Sequence, residues 1–148
     1  MRVVIQRCSY ASCKVDGVIT GEIKKGFLAL VGFCDTDTQK EIDLLVKKTT
    51  GLRIFEDEAG KMNKALLDVG GSILAISQFT LYADCKHGNR PSFTKAMKFE
   101  KANEYYEVYC KALEANNIHV ERGIFGADMK IELLNDGPVT IILDSADL

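Results

Sequence analysis

Apolar residues change their period along this chain, and each change marks an element. Val3 and Ile5 open a strand that Cys8 extends. Ser12–Val15 and Val18–Gly21 are β-prone runs on either side of Asp16-Gly17, a pair that supplies the positive φ angles of a type I′ hairpin turn. Gly26–Phe33 is a continuous apolar run between glycines, with the length of a strand buried on both faces. The period then becomes helical. Thr38 and Glu41 have capping-box spacing, and Ile42, Leu45, Val46, Thr49 and Leu52 follow on one face, with Gly51 as C-cap. Arg53–Glu56 reads as a strand into a turn at Asp57–Gly60, and Ser72–Leu81 as another strand after Gly70-Gly71. Phe93, Ala96, Met97, Ala102, Tyr106, Tyr109, Cys110 and Leu113 predict a long second helix that Asn116-Asn117 end. Ile118–Glu121 alternates as a strand does. Met129–Leu134 and Val139–Leu143 close the chain with strand alternation around Asn135–Pro138, a hairpin loop with proline at the bend. Together these predict an α+β fold: a mainly antiparallel sheet or barrel with two helices outside it. It is one domain over residues 1–148, without internal repeats.

Composition changes the picture only by exclusion. With 47% hydrophobic and 27% charged residues the chain is globular rather than disordered. Nineteen Lys and Arg against twenty-one Asp and Glu leave a formal charge of −2, so no whole-molecule positive field marks a nucleic-acid binder. Any such contact needs a local patch. Lys86, Arg90, Lys95, Lys98 and Lys101 against Glu100 make one, with Phe93 and Phe99 interleaved. It reads either as a solvated helix face or as a surface for nucleic-acid phosphates. The five cysteines include no C-x-x-C pair and read as small reduced residues. No apolar run has the length of a signal-peptide core or a membrane span, so the expected location is the cytoplasm, with no membrane partner.

The chemistry is sparse. His87 and His119 are the only histidines, and no Cys/His cluster or H-E-x-x-H accompanies them, so neither a metal nor a cofactor is expected. Phosphate-binding glycine motifs are missing, and Gly70-Gly71 precedes a strand where a phosphate cradle would open a helix. Ser77 and Thr80 stand at a strand end, with Asp84 and His87 shortly after. Either hydroxyl would be nucleophilic if His87 served as its base, and otherwise makes ordinary bonds to the backbone. Gly137-Pro138 is a place where a cis bond is accessible, because a bond to proline loses most of the trans preference.

Ser77-Gln78-Phe79-Thr80-Leu81 and Asn135-Asp136-Gly137-Pro138-Val139-Thr140 resemble the two signature motifs of the D-aminoacyl-tRNA deacylases. The likeness continues through Met1–Arg7, Arg90–Phe93 and Gly123–Met129, in order and at the family's spacing. The resemblance implies the deacylase-like fold. It implies a homodimer with active sites at the subunit interface, and hydrolysis of the ester between a D-amino acid and the terminal adenosine of tRNA. Glycine misplaced on alanine tRNA is a further expected substrate. Ser77, Gln78, Phe79 and Thr80 would line the adenosine and ester side as the catalytic group. Gly137-Pro138 would be a cis peptide reaching into the partner's pocket, where it rejects L-amino acids. Main-chain groups around Phe125-Gly126, with Met129 beside them, would hold the amino group. Lys86, Arg90 and Lys95 would meet RNA phosphates. In such a site the ribose 2′-hydroxyl of the RNA activates water, while the protein supplies positioning and backbone donors from Phe79 or Thr80. Two other readings stay open on the residues alone. One is a serine or threonine hydrolase of small D-amino-acid esters, and the other a non-catalytic dimeric module that binds a small ligand.

Overall fold

A computed structural model describes residues 1–148. In chain order the elements are β1 (Arg2–Val15), β2 (Val18–Ile23), β3 (Gly26–Gly32), α1 (Gln39–Gly51), β4 (Phe55–Glu56), β5 (Met62–Lys64), β6 (Ser72–Ser77), α2 (Phe99–Ala115), β7 (His119–Arg122) and β8 (Lys130–Asp144). β1 organises the sheet. β2 and β3 take successive halves of one of its edges, and β8 runs along the other, all antiparallel. Beyond β3 the sense changes: β6 and β7 add in parallel, because a helix carries the chain across before each of them. The sheet curls until β7 meets β2, where a Cβ on Gly21 would lie 2.8 Å from the Arg122 carbonyl oxygen. This is the expected α+β architecture, a mostly antiparallel, nearly closed sheet with two helices outside it.

Strand alternation sorts the apolar residues onto two faces. Phe27, Ala29, Val31, Ile73 and Ala75 point toward the helices, into a core that includes Ile42 and Leu45 of α1 and Tyr106 and Leu113 of α2. Leu28, Leu74 and Ile76 point to the concave side, where they meet Cys8, Ala11 and Cys13. Each such burial contributes about 1.5–3 kcal/mol. Polar groups inside are paired: the Tyr106 hydroxyl donates to the Ala75 carbonyl at 2.8 Å, and Thr49 and Tyr109 share a bond of 2.8 Å.

Local signals hold where they are strong. Asp16 and Gly17 have φ of 49° and 78° in the first hairpin, and Thr38 and Glu41 form the capping box. Four expectations change. Gly51 is the last helical residue and Leu52 the cap, its amide donating to Thr49. Ser72–Leu81 is not one strand, since Phe79–Tyr82 winds into a 3-10 turn. Gln78 makes the last ladder-like bond, donating to the Val31 carbonyl at 2.7 Å, and beyond Gly32 the backbone at Phe33 and Cys34 pairs instead with residues 96–97. The second helix starts at Phe99 instead of Phe93. Residues 93–98 cross the end of β3, held by the Met97 amide on the Phe33 carbonyl at 3.0 Å. Finally, the closing strands are a single strand, β8. From the Gln6–Thr140 pair to the Cys8–Asn135 pair, β1 advances two residues while β8 advances five, so Asp136–Val139 forms a bulge instead of a hairpin loop.

Candidate active site

Several parts of the chain converge on a cavity of about 600 Å³, with Val31, Gly32 and Phe33 at the end of β3 among its lining. The end of β6 contributes Ser77, Gln78 and Phe79. The crossing segment contributes Phe93, Ala96 and Met97, and α2 adds Phe99 and Ala102. The connection from β7 to β8 supplies Phe125, Gly126, Asp128 and Met129. The lining is mostly apolar, and Asp128 is its only charged side chain.

Glycine makes the approach of these parts possible. Gly126 has φ +77°, and a Cβ there would lie 2.6 Å from the Phe99 ring, so the ring rests on bare backbone. At Gly123 a Cβ would come within 2.5 Å of the Met129 sulfur. Thr80 stands apart from the lining: it is exposed, and its Oγ1 accepts from the Gln78 side-chain amide at 2.5 Å. An amide N–H cannot take the proton of that hydroxyl, and neither Ser77 nor Thr80 is bonded to the exposed His87. The thiols are no better placed. Burial pushes Cys8 up to about 11 and Cys110 up to about 12, so both stay protonated at neutral pH.

Gly137-Pro138 lies elsewhere. The peptide is cis and exposed, on the β8 bulge and outside the cavity of its own chain. Asn135 braces the bulge, accepting from the Val139 amide at 2.8 Å. Arg7 braces it from beneath: Nε donates to the Asp136 carbonyl at 2.8 Å and Nη1 to the Ile54 carbonyl at 2.6 Å. The sequence reading passed over Arg7. Its signal was the alternation itself, because Val3, Ile5 and residue 7 share the inward face of β1, and an arginine there is only 6% exposed.

Lys86 and Arg90 are exposed on the loop that precedes the crossing segment, and Lys95 is exposed within it. They are not equivalent. Lys95 donates to Asp84 at 2.8 Å, and the Lys86 amide donates to the other carboxylate oxygen at 3.0 Å. Those two bonds, the Lys95 one first, hold the Asp84 carboxyl below its ordinary range. Part of the Lys95 charge is therefore already answered.

The profile of the D-Tyr-tRNA(Tyr) deacylase family matches residues 4–144. The chain belongs to that family. Curated relatives named D-aminoacyl-tRNA deacylase include one from Clostridium tetani (strain Massachusetts / E88), 54% identical over 145 residues, 98% of this chain and 97% of the relative. Another, from Bacillus pumilus (strain SAFR-032), is 53% identical over 147 residues, 99% of this chain and all of the relative. Among solved structures, the c-Myc DNA Unwinding Element Binding Protein superposes with a TM-score of 0.90 at 40% identity, covering 97% of this chain and 98% of that one. A probable eukaryotic D-amino acid tRNA deacylase shares the fold, with a TM-score of 0.83 at 17% identity over 96% of this chain and 97% of its own. As a deacylase-family member, the chain carries one signature stretch at its cavity and the other on an exposed bulge.

Proposed function

We propose that the chain is an editing hydrolase that cleaves the ester of D-aminoacyl-tRNA, and of glycine misplaced on alanine tRNA, to free amino acid and tRNA. The observation that carries this reading is the family match across residues 4–144, which spans both signature stretches. The chemistry agrees with it. The cavity offers no acid–base pair, and an aminoacyl ester needs none from the protein if its own ribose supplies one. The neighbouring 2′-hydroxyl relays the proton. It accepts one from water as the water oxygen bonds to the ester carbonyl carbon, and passes its own proton to the ribose 3′-oxygen as the bond from that carbon to the 3′-oxygen breaks.

The chain's part is positioning. Ser77, Gln78 and Phe79 hold the adenosine and ester side, with Thr80 kept close through Gln78. The opening amides of the Phe79–Tyr82 turn have no acceptor within it, which leaves the Phe79 and Thr80 N–H groups available as donors to the developing oxyanion. Main-chain groups at Phe125-Gly126 receive the amino group, and Met129 closes that wall. In this reading Gly137-Pro138 enters the cavity of a second copy and excludes L side chains by obstruction, so one obstacle serves every D side chain. The exposed bulge supports that arrangement. So do the free outer edge of β8 and its Leu134 and Ile142, 57% and 66% exposed. Lys86 and Arg90 meet tRNA phosphates, with a smaller share from Lys95. No helix is long and apolar enough to cross a membrane, and the cytoplasm is where such a substrate is found.

The test is turnover of D- and L-tyrosyl-tRNA side by side, with protein far below substrate. Many turnovers of the D ester with the L ester spared is the expected result. Binding without turnover would favour a ligand-binding module. Equal hydrolysis of a small D-amino-acid ester lacking RNA would favour the simple esterase.

A further inference from the structure

Phe99 is an anomaly of placement. It is the first residue of α2, yet its apolar ring is 57% exposed. One exposed apolar residue is ordinary. Here, however, four aromatic rings make two edge-to-face pairs around a single cavity. Phe79 and Phe93 have centroids 5.1 Å apart, and Phe99 and Phe125 have centroids 5.0 Å apart. Phe99 is also held in place. Gly126 backs the ring where a Cβ would come within 2.6 Å of it, and Phe125 fixes its edge. A flat apolar surface, fixed from behind and open in front, is what an unpaired base needs for stacking, and it accepts any base.

The surroundings carry the matching charge. Lys98 precedes Phe99 and Lys101 lies one turn on, both exposed, while Lys101 already leans over the Tyr105 ring with Nζ 5.3 Å from its centroid. Lys98 has no carboxylate partner, unlike Lys95. Phe79 belongs to the stretch given above to the terminal adenosine. In the second aromatic pair only the main chain at Phe125 has been given a role, and the open face of the Phe99 ring is left without an occupant.

We propose that Phe99 is a stacking platform for the nucleobase that precedes the terminal adenosine, with Lys98 meeting the phosphate between the two nucleotides. The proposal rests on the reading of the substrate as an RNA ester. It adds a subsite outside both signature stretches, and one that reads RNA without reading its sequence.

The experiment compares D-tyrosyl-tRNA with the same molecule lacking only its penultimate base, an abasic site at that position. The readout is the ratio of the two kcat/KM values. Wild type should favour the intact RNA by about tenfold or more, the scale of one stacked base. Phe99→Leu, which keeps an apolar side chain and loses the π face, should bring the ratio close to one. Phe99→Trp should retain it. Where a variant is too slow to assay, Kd values for amide-linked analogues of both RNAs give the same ratio. A wild-type ratio near one, or a Phe99→Leu ratio as large as wild type, overturns the platform. A Phe99→Leu chain that changes oligomeric state and keeps its ratio assigns the ring to contact between copies instead. If wild type leaves intact D-tyrosyl-tRNA uncleaved, the hydrolase reading itself fails, and the platform fails with it.

Discussion

The two signature stretches are handled in opposite ways by the fold. Residues 77–80 end a strand whose neighbour turns to pair with another segment at Phe33 and Cys34. Gln78 makes a last bond to Val31, and the chain turns at the wall of a cavity. Residues 135–140 have too much chain for their partner, and the excess bulges outward from β8. The first stretch continues from the buried strand β6 and lies beside the buried strand β3. The second hangs on two polar braces, Asn135 and Arg7. Losing its partner to another segment leaves the first stretch at a concave surface, and a surplus of chain makes the second convex. If both serve one reaction, the convex part of one copy must enter the concave part of another.

The largest effect should come from removing the brace beneath the bulge. Arg7→Ala strands two carbonyls, those of Asp136 and Ile54, that now receive bonds from a charged donor. At about 1.5–3 kcal/mol for each such bond, denaturant unfolding should report a loss of about 3 kcal/mol or more. D-ester turnover should fall further than the loss of folded protein explains. A smaller effect is expected on the concave side. Gly126→Ala forces φ +77° on an L-residue and drives a Cβ into the Phe99 ring. The backbone alone costs about 1–2 kcal/mol. The chain should stay folded by circular dichroism while kcat/KM drops by about tenfold.

Thr80→Ala is expected to be milder still, because its hydroxyl bonds to an amide and lies outside the lining. Activity should fall by less than about tenfold, whereas a substrate without the terminal 2′-hydroxyl should be inert. A dead, folded mutant that is matched by turnover of the deoxy substrate would restore Thr80 as nucleophile. The smallest effects belong to the rim. Neutralising Lys86 or Arg90 should each lower the log–log salt slope of tRNA binding by about one. Lys95 should lower it by less, since Asp84 already holds that charge.

What the sequence made legible follows from how local each signal is. Asp16-Gly17, the Thr38–Glu41 box and the Gly26–Phe33 run depend on a few adjacent residues, and each formed its element, the last strand ending one residue early at Gly32. The end of β6 depends on where β3 stops, and the bulge on a register against β1, which no window of adjacent residues contains. Phe93, Ala96 and Met97 have helical spacing, but the crossing segment uses them to line the cavity. In the site, the resemblance pointed to two stretches, while their separation into a concave and a convex part came only from tertiary structure. Arg7 escaped notice because a charged residue in an apolar alternation looks like an interruption until its carbonyl partners are known.

The joining of concave and convex parts from two copies is tested most directly by mixing two inactive variants. Gly126→Val damages the cavity. Gly137→Val damages the bulge, where φ is +143° and a Cβ would lie 2.6 Å from the Val139 side chain. Each variant alone should be close to inactive against D-tyrosyl-tRNA while remaining folded. After subunit exchange at equal concentrations, half the dimers are mixed. Each mixed dimer has one site with both parts intact, so about a quarter of wild-type activity should return. If the mixture stays as inactive as its components although exchange is demonstrated, each chain works alone, and the two-copy site is wrong.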